Sequence, residues 1–186
     1  MIRPCLILML FFTVLTGVVY PVVVTVAAQT VFPDQANGSL IRDRGVIIGS
    51  QLIAQPAGDA NWFQPRPSAV NWNAAASGAS NLAPVAAPQR EAWAESAKKL
   101  RASGVTGTLP ADLVTASGSG LDPDLSPAGA LAQVARIATA RHLPEATVRA
   151  LVERSVRPPQ LGVLGAARVN VLELNRALTT LAGGGG

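Results

Sequence analysis

No charged residue stands between Arg3 and Asp34. The run opens Pro4-Cys5-Leu6-Ile7-Leu8-Met9-Leu10-Phe11-Phe12 and closes near Val26-Ala27-Ala28-Gln29-Thr30-Val31-Phe32. A bilayer core of about 30 Å is crossed by roughly 20 apolar residues in an α-helix, at about 1.5 Å per residue. The run exceeds that length, so it predicts one transmembrane helix with residues to spare for tilt. A buried core helix would be far shorter. A cleaved signal peptide would share the positive Arg3 and a small-residue stretch like Val26-Ala27-Ala28, but its apolar region is about 7–15 residues. A retained span is therefore expected.

The span divides the chain. Residues 1–31 are expected to form the N-terminal transmembrane helix with a cytoplasmic tip, residues 32–182 an extracytoplasmic α+β domain, and residues 183–186 a mobile glycine tail. Arg3 and the α-amino group lie on the short side of the span, which places the N-terminus in the cytoplasm. Within the span, Thr13, Gly17 and Pro21 recur every four residues and share a helix face. Small residues at that spacing admit a second membrane helix at close range. Pro21 lacks a backbone donor and should loosen or kink the outer half.

Composition excludes several functions. Apolar residues make up 49% of the chain and charged residues only 14%, low for a soluble protein. The basic residues are scattered, with no block of like charge and no basic face interleaved with aromatics, which argues against nucleic-acid binding. Cys5 is the sole cysteine and His142 the sole histidine. No internal disulfide and no Cys/His metal cluster can form.

Beyond the span, Asn37-Gly38 signals a turn. Residues 46–54, Val46-Ile47-Ile48-Gly49-Ser50-Gln51-Leu52-Ile53-Ala54, read as a hairpin or short strands, with a bulge or break at Gly49. Residues 56–88 are rich in Pro, Asn, Ser, Gly and Ala, and a stretch of that length without regular structure is usually functional or disordered. Trp62-Phe63 and Trp72 argue for ordered packing. Four helical stretches follow. Pro88 to Arg101 carries Trp93, Ala97 and Leu100 on one face. Ser126-Pro127 has the form of an N-cap with Pro at the first helical position, and an apolar stripe of Ala128, Leu131, Ala135 and Ala138, with Val134 alongside, runs to Arg141. A helix from Pro144 uses Val148, Leu151 and Val152. The last, 171–182, uses Leu174, Leu178 and Leu181.

The stretch that most invites a catalytic reading is residues 112–123, Asp112-Leu113-Val114-Thr115-Ala116-Ser117-Gly118-Ser119-Gly120-Leu121-Asp122-Pro123. A nucleophile elbow needs Gly two residues before the serine, and Ser117 holds that place relative to Ser119. A phosphate-binding loop needs Gly-Lys-Ser/Thr, and no lysine is near. His142 sits at a basic helix end, where compatibility with the helix C-terminus is the simpler role. The serines are better read as a tight loop whose hydroxyls cap nearby backbone. Glu145, Glu153 and Glu173 read as solvated helix residues. No catalytic residue is assigned.

Several blocks carry a resemblance. Tyr20-Pro21, Ala28-Gln29, Phe32-Pro33 with Gln35-Ala36-Asn37-Gly38-Ser39-Leu40-Ile41, Arg66-Pro67-Ser68-Ala69, Ser77-Gly78-Ala79-Ser80-Asn81-Leu82, the 112–123 stretch and Arg168-Val169-Asn170-Val171-Leu172 occur in the order of the KdpC family, which they resemble over almost the whole chain. The resemblance implies a non-catalytic subunit of a bacterial potassium-transporting P-type ATPase in the inner membrane. Its implied partners are a channel-like potassium-binding subunit, the P-type ATPase catalytic subunit and a very small membrane subunit. ATP and potassium are expected to act at the level of the complex, with no cofactor or metal bound directly by this chain. A proposed effect on the nucleotide affinity of the catalytic subunit fits an extracytoplasmic domain only if it is indirect. The polar loops, with Arg66, Asn81, Asp112, Ser117, Ser119 and Asp122, are then candidates for a lid or docking surface. Three positions depart from the family pattern: Asp124 where His is usual, Ala79 where Gly is usual, and Pro65 where Gly is usual. Ala79 raises the question of a positive φ, which alanine tolerates poorly. Two other classes remain open from the residues alone: a membrane-anchored serine hydrolase using Ser117 or Ser119, and an extracytoplasmic potassium-sensing domain using Asp112 and Asp122.

Overall fold

The computed structural model describes residues 2–183. The expected glycine tail lies outside them except for Gly183, which closes the last helix. Two compact units are present, 1–50 and 51–186.

The first unit is dominated by a helix of 30 residues, Ile2–Val31, long and apolar enough to cross a membrane. None of its residues is fully buried. It comprises α1 (Ile2–Val14), a π turn (Leu15–Val19) and α2 (Tyr20–Val31). The π turn follows from Pro21. Proline has no amide hydrogen for the carbonyl of Gly17 and its ring crowds that carbonyl. The chain takes up one extra residue instead, and the Tyr20 amide donates to the Leu15 carbonyl. Threonine hydroxyls in the helix are satisfied locally, as an apolar solvent demands. Thr13 Oγ1 donates to the Met9 carbonyl at 2.7 Å and Thr16 Oγ1 to that of Phe12 at 2.6 Å.

A short turn, α3 (Pro33–Ala36), leads to an antiparallel hairpin of β1 (Leu40–Asp43) and β2 (Val46–Ser50). Positive φ at Arg44 and Gly45 gives the tip the twist that closes a two-residue hairpin loop. The register slips between Ile41 and Arg42, which face Gly49 and Ile47. The extra residue is Ile48, so the irregularity expected at Gly49 falls beside it. Strand structure ends at Ser50 rather than reaching Ala54.

In the second unit, an irregular stretch precedes α4 (Ala87–Ala102) and α5 (Ala111–Val114). Trp93, Ala97 and Leu100 share the half-buried face of α4, as the spacing predicts. The core lies among α6 (Pro127–Leu131), α7 (Val134–Arg141), α8 (Glu145–Arg154) and α9 (Val171–Gly183). Val148, Leu151 and Val152 of α8 and Leu174 and Leu178 of α9 are buried as expected. Ser126 caps α6, its Oγ accepting from the Gly129 amide at 3.0 Å.

The single helix expected to run to Arg141 is in fact two. The Gln133 amide bonds the Ala130 carbonyl, a tighter turn that breaks the α-helix between Leu131 and Val134. The stripe is accordingly shifted. Ala130, Val134, Ile137 and Ala138 are buried, whereas Ala128 and Ala135 are exposed and Leu131 is half-buried. The bulkier Val134 and Ile137 gain more from burial than alanines do, and they set the face. A two-residue ladder of β3 (Asp124–Leu125) with β4 (Val169–Asn170) joins two distant segments and has no counterpart in the sequence reading.

Candidate functional site

The Ser/Gly loop 115–122 is laced to the segment 66–78. The Ser117 amide donates to the Pro67 carbonyl at 3.3 Å, and the Gly78 amide to the Ser119 carbonyl at 2.8 Å. Ser68 Oγ donates to the Gly120 carbonyl at 2.7 Å and accepts from the Trp72 amide at 2.9 Å. Ser77 Oγ donates to the Ser119 carbonyl at 3.0 Å. Gly120 has φ +68°, and a Cβ there would lie 2.6 Å from Val70 Cγ2 and 2.7 Å from the Gly78 carbonyl oxygen. Only glycine fits where the two loops meet.

Arg66 ties the loops at their base. Its Nη1 bonds Asp122 Oδ2 at 2.9 Å, and its Nη2 reaches the Ala116 carbonyl at 3.4 Å. Its Nε is buried without a protein partner. Asp122 Oδ1 accepts from the Asp124 amide at 3.0 Å. Ser117 is buried, and Ser119 Oγ accepts from the Leu121 amide at 3.1 Å, the capping role expected of the loop hydroxyls. Among the described hydrogen bonds neither serine pairs with His142, which caps α7 in the left-handed region. Among the described hydrogen bonds, neither serine shows the pairing with a base that an activated nucleophile uses.

Two predicted residues fall elsewhere. Asp112 sits under the start of α6, where its Oδ2 accepts from the Ser126 amide at 2.6 Å. A Cβ on Gly129 would be 2.7 Å from the same oxygen, so the carboxylate occupies the space that this glycine leaves. An anion at that place complements unpaired helix amides. Asn81 lies on the exposed surface, with Nδ2 to the Ala79 carbonyl at 3.3 Å. Positive φ in this loop is at Asn81, not at Ala79, so the alanine carries no backbone strain. The structure therefore brings Arg66, Ser117, Ser119 and Asp122 together and leaves Asp112 and Asn81 apart from them. In the span, a Cβ on Gly17 would meet nothing within 4 Å. The π turn also moves Thr13 and Pro21 toward one face. Eight residues apart, they act as if seven apart, a drift of about 20° rather than about 80°.

Beside the ladder, Asp124 pairs with Arg168 at 3.1 Å. Burial pushes its carboxyl above the ordinary aspartate range, Arg168 pulls the other way, and Asp122 adds to the rise.

Sequence reading missed a buried polar clamp on residues 60–64. Arg136 donates to the Ala60 carbonyl, to the Trp62 carbonyl at 3.0 Å and to Gln133 Oε1 at 2.7 Å. Gln133 exchanges hydrogen bonds with the backbone of Gln64 at 2.8 and 3.0 Å. Asn175 does the same for Phe63, at 2.9 Å in each direction. Arg141 stacks on Trp62, 4.2 Å from the ring centre. Burial lowers the Arg136 pKa, opposed by Asp59. The available signal was polar residues, Gln133, Arg136 and Asn175, set among the apolar positions of a helix. The clamp orders the backbone so that Phe63 enters the core fully buried.

These arrangements position backbone and present hydroxyls and amides; they offer no activated nucleophile. Among the described residues no group of three or more His, Cys, Asp or Glu side chains could hold a metal ion. The family model for KdpC, K+-transporting ATPase, c chain, matches residues 2–180. A potassium-transporting ATPase KdpC subunit of Gemmatimonas aurantiaca is 51% identical over 97% of this chain and 92% of its own length. The KdpC subunit of Trichlorobacter lovleyi is 48% identical over 97% of each. That of Caulobacter vibrioides is 49% identical over 95% of this chain and 91% of its own. A match over nearly every residue, span included, gives no support to the hydrolase or sensor readings: the chain belongs to the KdpC family, the c chain of the K+-transporting ATPase.

Proposed function

We propose that this accessory subunit works by binding, and that its span is a contact with the rest of the pump as well as an anchor. The observation that carries the reading is an apolar helix of 30 residues with none of its span buried by the chain itself. Lipid covers most of such a surface. The open space at Gly17, with Thr13 and Pro21 above and below it, suits a neighbouring membrane helix. The partner at this face is the channel-like potassium-binding subunit, with the P-type ATPase catalytic subunit and a very small membrane subunit in the same complex.

The N-terminus lies in the cytoplasm and residues 32–182 lie on the extracytoplasmic side of the bacterial inner membrane, an orientation supported by Arg3 on the short flank. The laced loops serve as a lid or docking surface over the outer face of the channel-like subunit. Asn81 and Ser119 present amide and hydroxyl groups outward, while Arg66 with Asp122 and Ser117 hold the loops in shape, and Asp112 holds the start of α6. ATP and potassium act at the level of the complex. An extracytoplasmic domain cannot meet cytoplasmic ATP, so any influence on nucleotide affinity passes through the span.

The test is co-purification from membranes with a tag on this chain, together with Ser103→Cys labelling by an impermeant thiol reagent on spheroplasts, in a Cys5→Ser background. The other pump subunits should be recovered and the introduced thiol labelled. Labelling only after lysis would reverse the orientation, and recovery of this chain alone would remove the assembly role.

A further inference from the structure

We infer that the hairpin 40–50 is a second membrane contact, a lipid-facing finger at the interface just beyond the span. The inference rests on the span reading above. A helix of 30 residues at about 1.5 Å per residue is about 45 Å long, the full thickness of a bilayer including its headgroups, about 40–45 Å. Its end at Val31 is therefore at headgroup level. The hairpin is tied to that end. The Asn37 and Gln29 side chains exchange hydrogen bonds at 3.0 and 3.3 Å, and Asn37 also bonds the Pro33 carbonyl at 2.7 Å. Ser50 Oγ closes the base of the hairpin on the Gly38 carbonyl at 2.7 Å. A strand of this length reaches about 15 Å, at about 3.3 Å per residue, enough to return from the headgroups to the acyl boundary.

The side chains fit that destination. Val46 and Ile47 are 65% and 50% exposed, and neighbours along a strand point to opposite faces. A hairpin facing water alternates apolar with polar residues, and one seated in a protein groove shows its apolar residues on one side. Apolar residues on both faces of the tip suit a medium that surrounds it. Leu40, at the base, is 44% exposed as well. Arg42 faces Ile47 across the ladder, Asp43 faces Val46, and Arg44 turns the tip. Long arginine stems lie along apolar surface with their heads among phosphates, and two arginines outweigh the one aspartate. The hydrogen-bonded tie that holds the hairpin at the end of the lipid-facing span favours lipid over a protein groove.

The test places an environment-sensitive fluorophore at Ile47→Cys, in a Cys5→Ser background, on the full chain in vesicles of phosphatidylethanolamine and phosphatidylglycerol. Lipids brominated near the headgroup should quench most of the emission, and aqueous iodide should quench little. A label at Phe12→Cys reports the span by itself, so failure of the chain to insert is told apart from failure of the hairpin. A label at position 47 that is open to iodide and indifferent to brominated lipid, while the Phe12 position is buried, overturns the inference. So does protection that appears only in the assembled pump, which would make the hairpin a protein-docking arm.

Discussion

Leu174 and Leu178 have no exposed surface, whereas Leu8 and Leu10 are 55% and 66% exposed. The side chains are the same; their surroundings differ. In the second unit each helix has another helix to bury its apolar stripe against. In the span the apolar residues go all the way round, and the chain supplies nothing to cover them. Burial in the second unit is intramolecular and stabilises the domain. The span's apolar surface is left for its surroundings to cover, so its burial does not enter the stability of the domain. The polar groups divide in the same way. Thr13 and Thr16 satisfy their hydroxyls within one helix turn, whereas Gln133 and Asn175 reach across the domain to residues 63 and 64.

The strongest way to sharpen this contrast is to truncate one aromatic in each region. Phe63→Ala should cost the second unit about 3–5 kcal/mol, the usual range for a fully buried phenylalanine, read as a lowered urea midpoint of the full chain in micelles. Phe12→Ala should leave that midpoint unchanged, and an equal loss would break the distinction. Next comes Gly120→Ala. It forces a Cβ to 2.7 Å from the Gly78 carbonyl oxygen at φ +68°, and such strain costs about 1–3 kcal/mol. Faster amide exchange should appear at Gly78 and Ser117, whose bonds lace the loops, and unchanged exchange there would show that the lacing does not depend on this glycine.

The smallest effect is electrostatic. Asp124 has its pKa raised above that of the unfolded chain. The native state thus binds a proton that the unfolded state releases, and stability from this group is full at low pH and lost as pH rises through the native pKa. Asp124→Asn should remove that decline. The variant should be at least as stable as the parent at neutral pH, with the gap closing toward the ordinary aspartate value near 3.8. A variant less stable at neutral pH would mean that the Arg168 pair outweighs the burial of the carboxyl.

What could be read from the sequence depended on range. The span needed only length and absence of charge. Leu174, Leu178 and Leu181 announced α9 by spacing alone, and Ser126-Pro127 announced the start of α6. The break before Val134 left no such mark, because Leu131, Ala132 and Gln133 are all acceptable helix formers; it is set by the tertiary bonds of Gln133. The β3–β4 ladder is two residues long on each side, too short for any alternation to show. At the candidate site, the hydroxyl capping by Ser119 is local and was legible. The pairing of Arg66 with Asp122 joins positions 56 residues apart, and nothing in either neighbourhood names the other. The same holds for Asp112, whose role depends on a glycine in a different helix.

The central claim is that the span is part of the assembly interface. The direct measurement deletes residues 1–31, delivers the remaining domain across the membrane with a cleavable signal, verifies its helical content by circular dichroism, and asks whether the other pump subunits still co-purify with it. Loss of the complex with the domain intact is the predicted result. Recovery of a whole, potassium-transporting complex around the spanless domain would contradict it.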